Sequence, residues 1–246
     1  MLNNQTINKL EELKFTGMAN GYRTQMETAR YAHMSFDERL GMLVDQEMTE
    51  RENRRYANLI RSAKLKFASA CVEDIDYQPS RGLDRPMMEG LKDLEWLKHG
   101  IDLVLTGPAG TGKTWIACAL GEKACREGLK VSFQRLPILL EEFKLAHVDG
   151  TFHSKLAKLT KVDLLILDDL GVSPINAQGR GDLLEIIDSR STTKSTIVTS
   201  QLPVSKWHDY LSSGNPTAAD AILDRITGGS YRIEFKGESM RKLRKK

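Results

Sequence analysis

The stretch "IDLVLTGPAGTGKT", Ile101–Thr114, decides the fold. An apolar run enters a Gly-x-x-x-x-Gly-Lys-Thr sequence and continues into "WIACALGEKAC", Trp115–Cys125, which is the order strand, phosphate loop, helix. Glycines at 107, 110 and 112 allow backbone angles closed to other residues. The loop Gly107, Pro108, Ala109, Gly110, Thr111 and Gly112 is therefore expected to wrap its main chain around phosphate oxygens, and the dipole of the following helix favours the same charge. Lys113 is placed to reach the β and γ phosphates of a nucleotide, and the Thr114 hydroxyl to hold Mg²⁺.

Working outward, the chain alternates between strand and helix patterns, as a parallel α/β sheet requires. Strands are expected at 102–106, 130–134, 163–167, 195–200 and 231–235. Helices are expected at about 113–127, 137–148, 152–160, 179–191 and 217–227. The third strand, in "LLILDDLG", is apolar on both faces and delivers Asp168 and Asp169 to its carboxyl end, where open α/β sheets place their ligands. Asp168 is expected to hold Mg²⁺ together with Thr114. Successive strand side chains point to opposite faces, so Asp169 takes another task, orienting the attacking water. Without the phosphate loop, a turn cap before Gly171 accounts for the same residue. The fourth strand, "STIVTSQLP", ends in the polar Ser200 and Gln201, which suits either a γ-phosphate contact or turn chemistry. Arg225, in "AAILDRITGG", fits a solvated face, a carboxylate pair or an arginine offered to a neighbouring subunit's nucleotide.

Residues 1–70 read as a small all-helical domain. "INKLEEL" places Ile7, Leu10 and Leu13 near one face until Gly17. Ser35 and Glu38 form a capping box before a long helix whose apolar stripe is Phe36, Leu40, Leu43, Val44 and Met48. Two prolines, a glycine and scattered charge mark 71–86 as a linker, leaving 87–246 as the nucleotide-binding domain with a basic tail, "RKLRKK". With 40% hydrophobic residues among 246 there is material for a buried core, and no apolar run is long enough to cross a bilayer. The N-terminus lacks the apolar stretch of a signal peptide, which points to the cytoplasm. Three cysteines without CxxC spacing suggest neither a disulfide framework nor a zinc site.

These motifs resemble the AAA+ class of ATPases, and within it the DnaC-related branch typified by the IstB transposition helpers. The resemblance covers nearly the whole chain, including "MSFDERLGMLVDQEMTERENRR", "LLILDDLG", "STIVTSQLP", "AAILDRI" and "YRIEFKGESMR". It implies an α/β P-loop fold of the AAA+ type, a five-stranded, mostly parallel sheet between helices, preceded by the helical domain. It also implies ATP and Mg²⁺ as cofactors, Lys113 and Thr114 as the Walker A pair, Asp168 and Asp169 as the Walker B pair, Gln201 near a sensor position, Arg225 as the finger and Arg241 as a second nucleotide-sensing arginine. The activity implied is assembly into a homo-oligomer on duplex DNA with ATP, and delivery of that DNA to a partner transposase. A helicase loader of the DnaC type is the alternative within the branch.

The residues themselves add a basic stripe. Arg51, Arg54, Arg55 and Arg61 recur at helical spacing with Lys64 and Lys66 behind them, so several cations could follow a phosphate backbone. Glu47 with Arg51 and Glu50 with Arg54 are spaced to pair, and a solvated face explains the stripe equally well. No base-reading module is present, so any DNA contact is expected to be sequence-independent.

Overall fold

The structure, a computed structural model, describes residues 2–212 and 216–240. It divides into two compact units, Met1–Asn58 and Leu59–Lys246. Residues 71–86, expected as a linker, lie within the second unit, where Arg81 is buried and binds the phosphate loop's backbone.

In the first unit, α1 (Leu2–Glu12) is followed by α2 (Thr16–Glu27), a short 3₁₀ turn at Ala29–His33 and α3 (Phe36–Ala63), which the unit boundary cuts. Gly17 does not stop a helix as the sequence suggested. Lys14 makes the turn with φ 62°, and Gly17 sits in the first turn of α2. Its role is close approach, since a Cβ there would lie 2.6 Å from the Gln46 carbonyl oxygen of α3. That closeness brings polar groups into the contact. Buried Glu47 accepts from Gly17 N at 2.7 Å and Met18 N at 3.2 Å, supplying a carboxylate to the amides that α2 leaves unpaired at its start. The apolar stripe of α3 is accordingly not its packing face: Leu43 is buried, but Phe36 and Met48 are 76% and 56% exposed. The capping box is present, with Ser35 N donating to Glu38 Oε2 at 2.8 Å and Glu38 N to Ser35 Oγ at 3.3 Å.

The second unit is an α/β P-loop fold of the AAA+ type. Its strands are β1 (Leu103–Thr106), β2 (Val131–Arg135), β3 (Leu164–Leu170), β4 (Ser195–Ser200) and β5 (Tyr231–Glu234), in the spatial order β2-β3-β4-β1-β5 with every neighbouring pair parallel. Parallel neighbours require crossovers, which are supplied by α6 (Lys113–Arg126), by α7 (Leu136–Asp149) with α8 (Phe152–Thr160), and by α9 (Ala177–Arg190). After β4 come α10 (Trp207–Leu211) and α11 (Pro216–Thr227). Ahead of β1 lie α4 (Arg85–Lys92) and α5 (Glu95–Lys98), which the sequence reading did not separate from linker and loop. Leu103, Leu105, Leu164, Leu165, Ile166 and Ile197 are wholly buried, as strands covered on both faces must be. Because β4 lies between β1 and β3, the ends of the phosphate-loop strand and the acid-bearing strand are a strand apart, with β4 residues facing the gap.

Beneath the sheet, Arg190 is 1% exposed and donates to the carbonyls of Leu159, Val162 and Ser195, tying α8, α9 and β4 together. Near it, burial raises the Asp102 carboxyl from 3.8 to about 7, opposed by the Thr196 N–H and the charge of Arg190. A raised acid stabilises the fold while protonated, and that contribution disappears as pH climbs from 4 through 7. Asp102→Asn keeps an acceptor for Thr196 N without an ionisable proton. Thermal unfolding at pH 5 and pH 8 should show the variant's advantage growing with pH, to about 1–3 kcal/mol.

Candidate nucleotide site

The loop between β1 and α6 has the conformation its glycines foretell. Gly107 has φ 135°, and a Cβ there would come 2.3 Å from the Phe235 carbonyl oxygen, so the loop is pressed against the chain leaving β5. Gly112, with φ 100°, stands just before the first residue of α6, which turns the unpaired amides at that helix's start toward the loop's concavity. Lys113 Nζ lies inside it, donating to the carbonyls of Gly107 at 2.6 Å and Pro108 at 2.7 Å. Burial holds this ammonium below the ordinary lysine value, with Asp168 and Asp169 acting in the opposite direction. Thr111 Oγ1 donates to the Pro108 carbonyl at 2.9 Å and braces the turn.

Asp168 is completely buried at the end of the apolar run of β3. Its Oδ1 accepts from Thr114 Oγ1 and Thr199 Oγ1, both at 2.7 Å, which joins the helix start, β3 and β4 at one atom. Its Oδ2 is buried without a hydrogen-bond partner among the described residues. A buried carboxylate oxygen that accepts no hydrogen bond, beside a threonine hydroxyl, is an oxygen donor set that suits Mg²⁺. Thr114 and Asp168 are the residues that would hold it.

Asp169 does not share the contacts of Asp168. It takes φ 70° where the β3–β4 register shifts, a bulge that turns its side chain away from the buried one. Its N–H donates to Thr199 Oγ1 at 3.2 Å, so one hydroxyl spans both acids. The Asp169 carboxylate accepts from Arg135 Nη2 at 3.1 Å and Nε at 3.2 Å, an arginine at the carboxyl end of β2.

Beside the loop is a cavity of about 240 Å³ lined by Phe67, Asp76, Arg81, Lys113, Trp115 and Met240, among others. Arg81 donates Nη1 to the Asp76 carbonyl at 2.5 Å and Nη2 to the Thr111 carbonyl at 3.1 Å, so the segment expected as a linker forms one wall. Burial depresses its guanidinium, with Asp76 opposing.

None of the remaining residues read as functional takes part in the hydrogen bonds just described. Gln201 is exposed beyond β4. The β4 residue that reaches the acids is Thr199, which the sequence reading passed over although it is a polar residue directly after the apolar pair Ile197–Val198. Arg135 was missed as well, because only the β2–β3 pairing brings it to Asp169. Arg225 on α11 is ion-paired to Asp188 of α9 at 2.5 Å and donates to the Ala221 carbonyl at 3.1 Å. Arg241 and the basic tail lie outside the described residues. Arg51, Arg54 and Arg55 are exposed on α3 in the first unit, Arg51 bound to Glu47 at 2.7 Å and Arg54 to Glu50 at 3.5 Å. Arg61 and Lys64 are exposed in the second.

Known proteins resemble this chain in sequence and in fold. The family model described as "IstB-like ATP binding protein" matches residues 8–246. A protein of Sinorhizobium fredii (strain NBRC 101917 / NGR234) that carries the name of an insertion sequence ATP-binding protein is 44% identical over 98% of this chain and 98% of its own. Among solved structures, DnaI covers 73% of this chain and 94% of its own with TM-score 0.60 and 23% identity. The DnaC helicase loader covers 68% and 97% with TM-score 0.56 and 20% identity. At those identities the structures support the fold alone.

Thr199 is the residue on which the two acids converge. Thr199→Val keeps its shape but deprives Asp168 of a buried donor. Thermal unfolding should show a loss of about 1–3 kcal/mol, with Thr199→Ser close to wild type.

Proposed function

The chain belongs to the IstB-like ATP-binding protein family, and from that premise we propose that it is an ATP-hydrolysing transposition helper, which assembles on duplex DNA with ATP and hands that DNA to a partner transposase. The observation that carries the reading is the joining of Thr114, Asp168 and Thr199 at one buried oxygen beside the phosphate loop. Similarity along the full length to an insertion-sequence protein favours a transposase over a helicase as partner.

In this reading the loop from Gly107 to Gly112 binds the triphosphate through its main chain, and Lys113 exchanges its carbonyl partners for β and γ oxygens. Mg²⁺, held by Thr114 and Asp168, supplies charge neutralisation and orientation of the phosphates. Asp169, once parted from Arg135, accepts a hydrogen bond from the water that attacks the γ-phosphorus, and the bond to the β-phosphate oxygen breaks to leave ADP and phosphate. Gln201, two residues beyond Thr199, contacts the γ-phosphate side.

Arg225 is the finger. In the single chain its charge is held by Asp188 at the surface of the α9–α11 pair, a partly exposed ion pair that costs little to open. Delivered to a neighbouring protomer's nucleotide, the same guanidinium stabilises charge developing on the phosphate, which links hydrolysis to assembly. Arg51, Arg54, Arg55, Arg61 and Lys64 contact the DNA backbone, so binding is sequence-independent and weakens as salt rises.

Steady-state hydrolysis with duplex DNA tests these roles. Lys113→Ala should abolish both labelled-ATP binding and turnover. Arg225→Ala should retain binding and lose turnover by about 10³-fold, the scale of a missing arginine finger. Wild-type turnover on DNA by Arg225→Ala would remove the finger from the mechanism.

A further inference from the structure

The buried carboxylate of Asp168 has a cation neighbour that neither the P-loop nor the acid motif supplies. Helix α3 ends at Ala63, and Lys64 turns the chain with φ 52°. The next three residues all face the nucleotide-binding half. Leu65 is buried, and its Cδ2 would lie 3.1 Å from a Cβ placed on Gly121, so it is seated on α6. Lys66 extends Nζ to 3.8 Å from Asp168 Oδ2, within ion-pair reach though too long for a hydrogen bond. Phe67 lines the cavity beside the phosphate loop, with Lys66 Nζ 5.8 Å from its ring centroid.

The oxygen that Lys66 faces is the same buried oxygen that has no hydrogen-bond partner. A carboxylate removed from water carries a large desolvation cost unless a positive charge stands near it. The side chain of Lys66 is 38% exposed, so it can withdraw into solvent at little cost. A lysine ammonium and a divalent cation at one carboxylate oxygen repel each other, so the two occupations exclude one another.

We propose that Lys66 is the counter-ion of Asp168 in the metal-free site, that Mg²⁺ displaces it, and that the 64–67 turn thereby reports metal occupancy to the end of α3. Leu65 anchors the turn on one side of Lys66 and Phe67 joins it to the nucleotide cavity on the other. Movement of the ammonium is therefore felt by the first residues after the long helix. The second half of this inference rests on reading Asp168 as a metal ligand; the first half does not.

The test combines Lys66→Met, Lys66→Arg, Asp168→Asn and the Lys66→Met/Asp168→Asn pair. In EDTA without nucleotide, Lys66→Met should lower Tm by about 2 °C or more, Lys66→Arg should stay near wild type, and the Met substitution should cost nothing in the Asp168→Asn background. With ADP present and Mg²⁺ titrated, the Mg²⁺ concentration giving half of the thermal stabilisation should fall about threefold or more in Lys66→Met. Hydrogen exchange at residues 64–70 should rise with Mg²⁺ in wild type and remain constant in Lys66→Met. Additive stability effects of Lys66→Met and Asp168→Asn would overturn the counter-ion role, and an unshifted Mg²⁺ midpoint would overturn the displacement. Should ADP and Mg²⁺ fail to stabilise even the wild type, the ATP-binding reading fails and displacement with it, while the nucleotide-free comparison still decides the pairing of Lys66 with Asp168.

Discussion

A single carboxylate oxygen, Asp168 Oδ1, fixes the distance between three parts of the chain that are far apart in sequence. Thr114 reaches it from the start of α6, Thr199 from the middle strand and Asp168 itself from β3. Removing that carboxylate from water is costly, and the two hydroxyl donors offset part of the cost while leaving Oδ2 for a cation. The sheet order serves this meeting. With β4 between β1 and β3, a polar residue of β4 is placed beside the acid, and Thr199 is that residue. The strand's other residues remain apolar or hydrogen-bonded within the core, as with Ser200, whose Oγ donates to the Leu170 carbonyl at 2.7 Å.

Much of this was legible in the sequence because it depends on local pattern. The phosphate loop requires glycines at fixed offsets, and the buried strands of a parallel sheet require continuous apolar runs, so each strand was placed within a few residues. The site residues that escaped notice are those whose role is set by strand neighbourhood. Arg135 and Asp169 are 34 residues apart, and nothing in either segment announces that β2 pairs with β3. Arg81 lay in a stretch whose prolines and glycine imitate a linker, yet its guanidinium is buried against Thr111. On α3 the misreading was of another kind. Apolar periodicity named Phe36 and Met48 as the packed face, whereas Gly17 of α2 lets the backbones approach so closely that Glu47 is buried in their place.

A common theme joins the arginines and lysines around the site: each charge is occupied by an internal partner. Lys113 is bonded to carbonyls of its own loop, Arg135 to Asp169, Arg225 to Asp188 and Lys66 faces Asp168. The two partly exposed ion pairs, Arg135 with Asp169 and Arg225 with Asp188, contribute little to stability and exchange partners readily. In the proposed mechanism they hold Asp169 and Arg225 in reserve in the isolated chain, and an anionic nucleotide with its metal, together with a neighbouring protomer, would offer each a stronger partner. On that proposal, coupling between nucleotide, metal and assembly would follow from competition among ion pairs, with no change of fold required.

The central claim is that nucleotide held in this site drives assembly on DNA. Sedimentation of the purified protein with a fluorescent DNA duplex tests it most directly, comparing no nucleotide, ADP and a non-hydrolysable ATP analogue. The account predicts a large DNA-bound species with the analogue alone, absent without nucleotide and absent in Lys113→Ala. A protein that stays small and ignores duplex under all three conditions would contradict it.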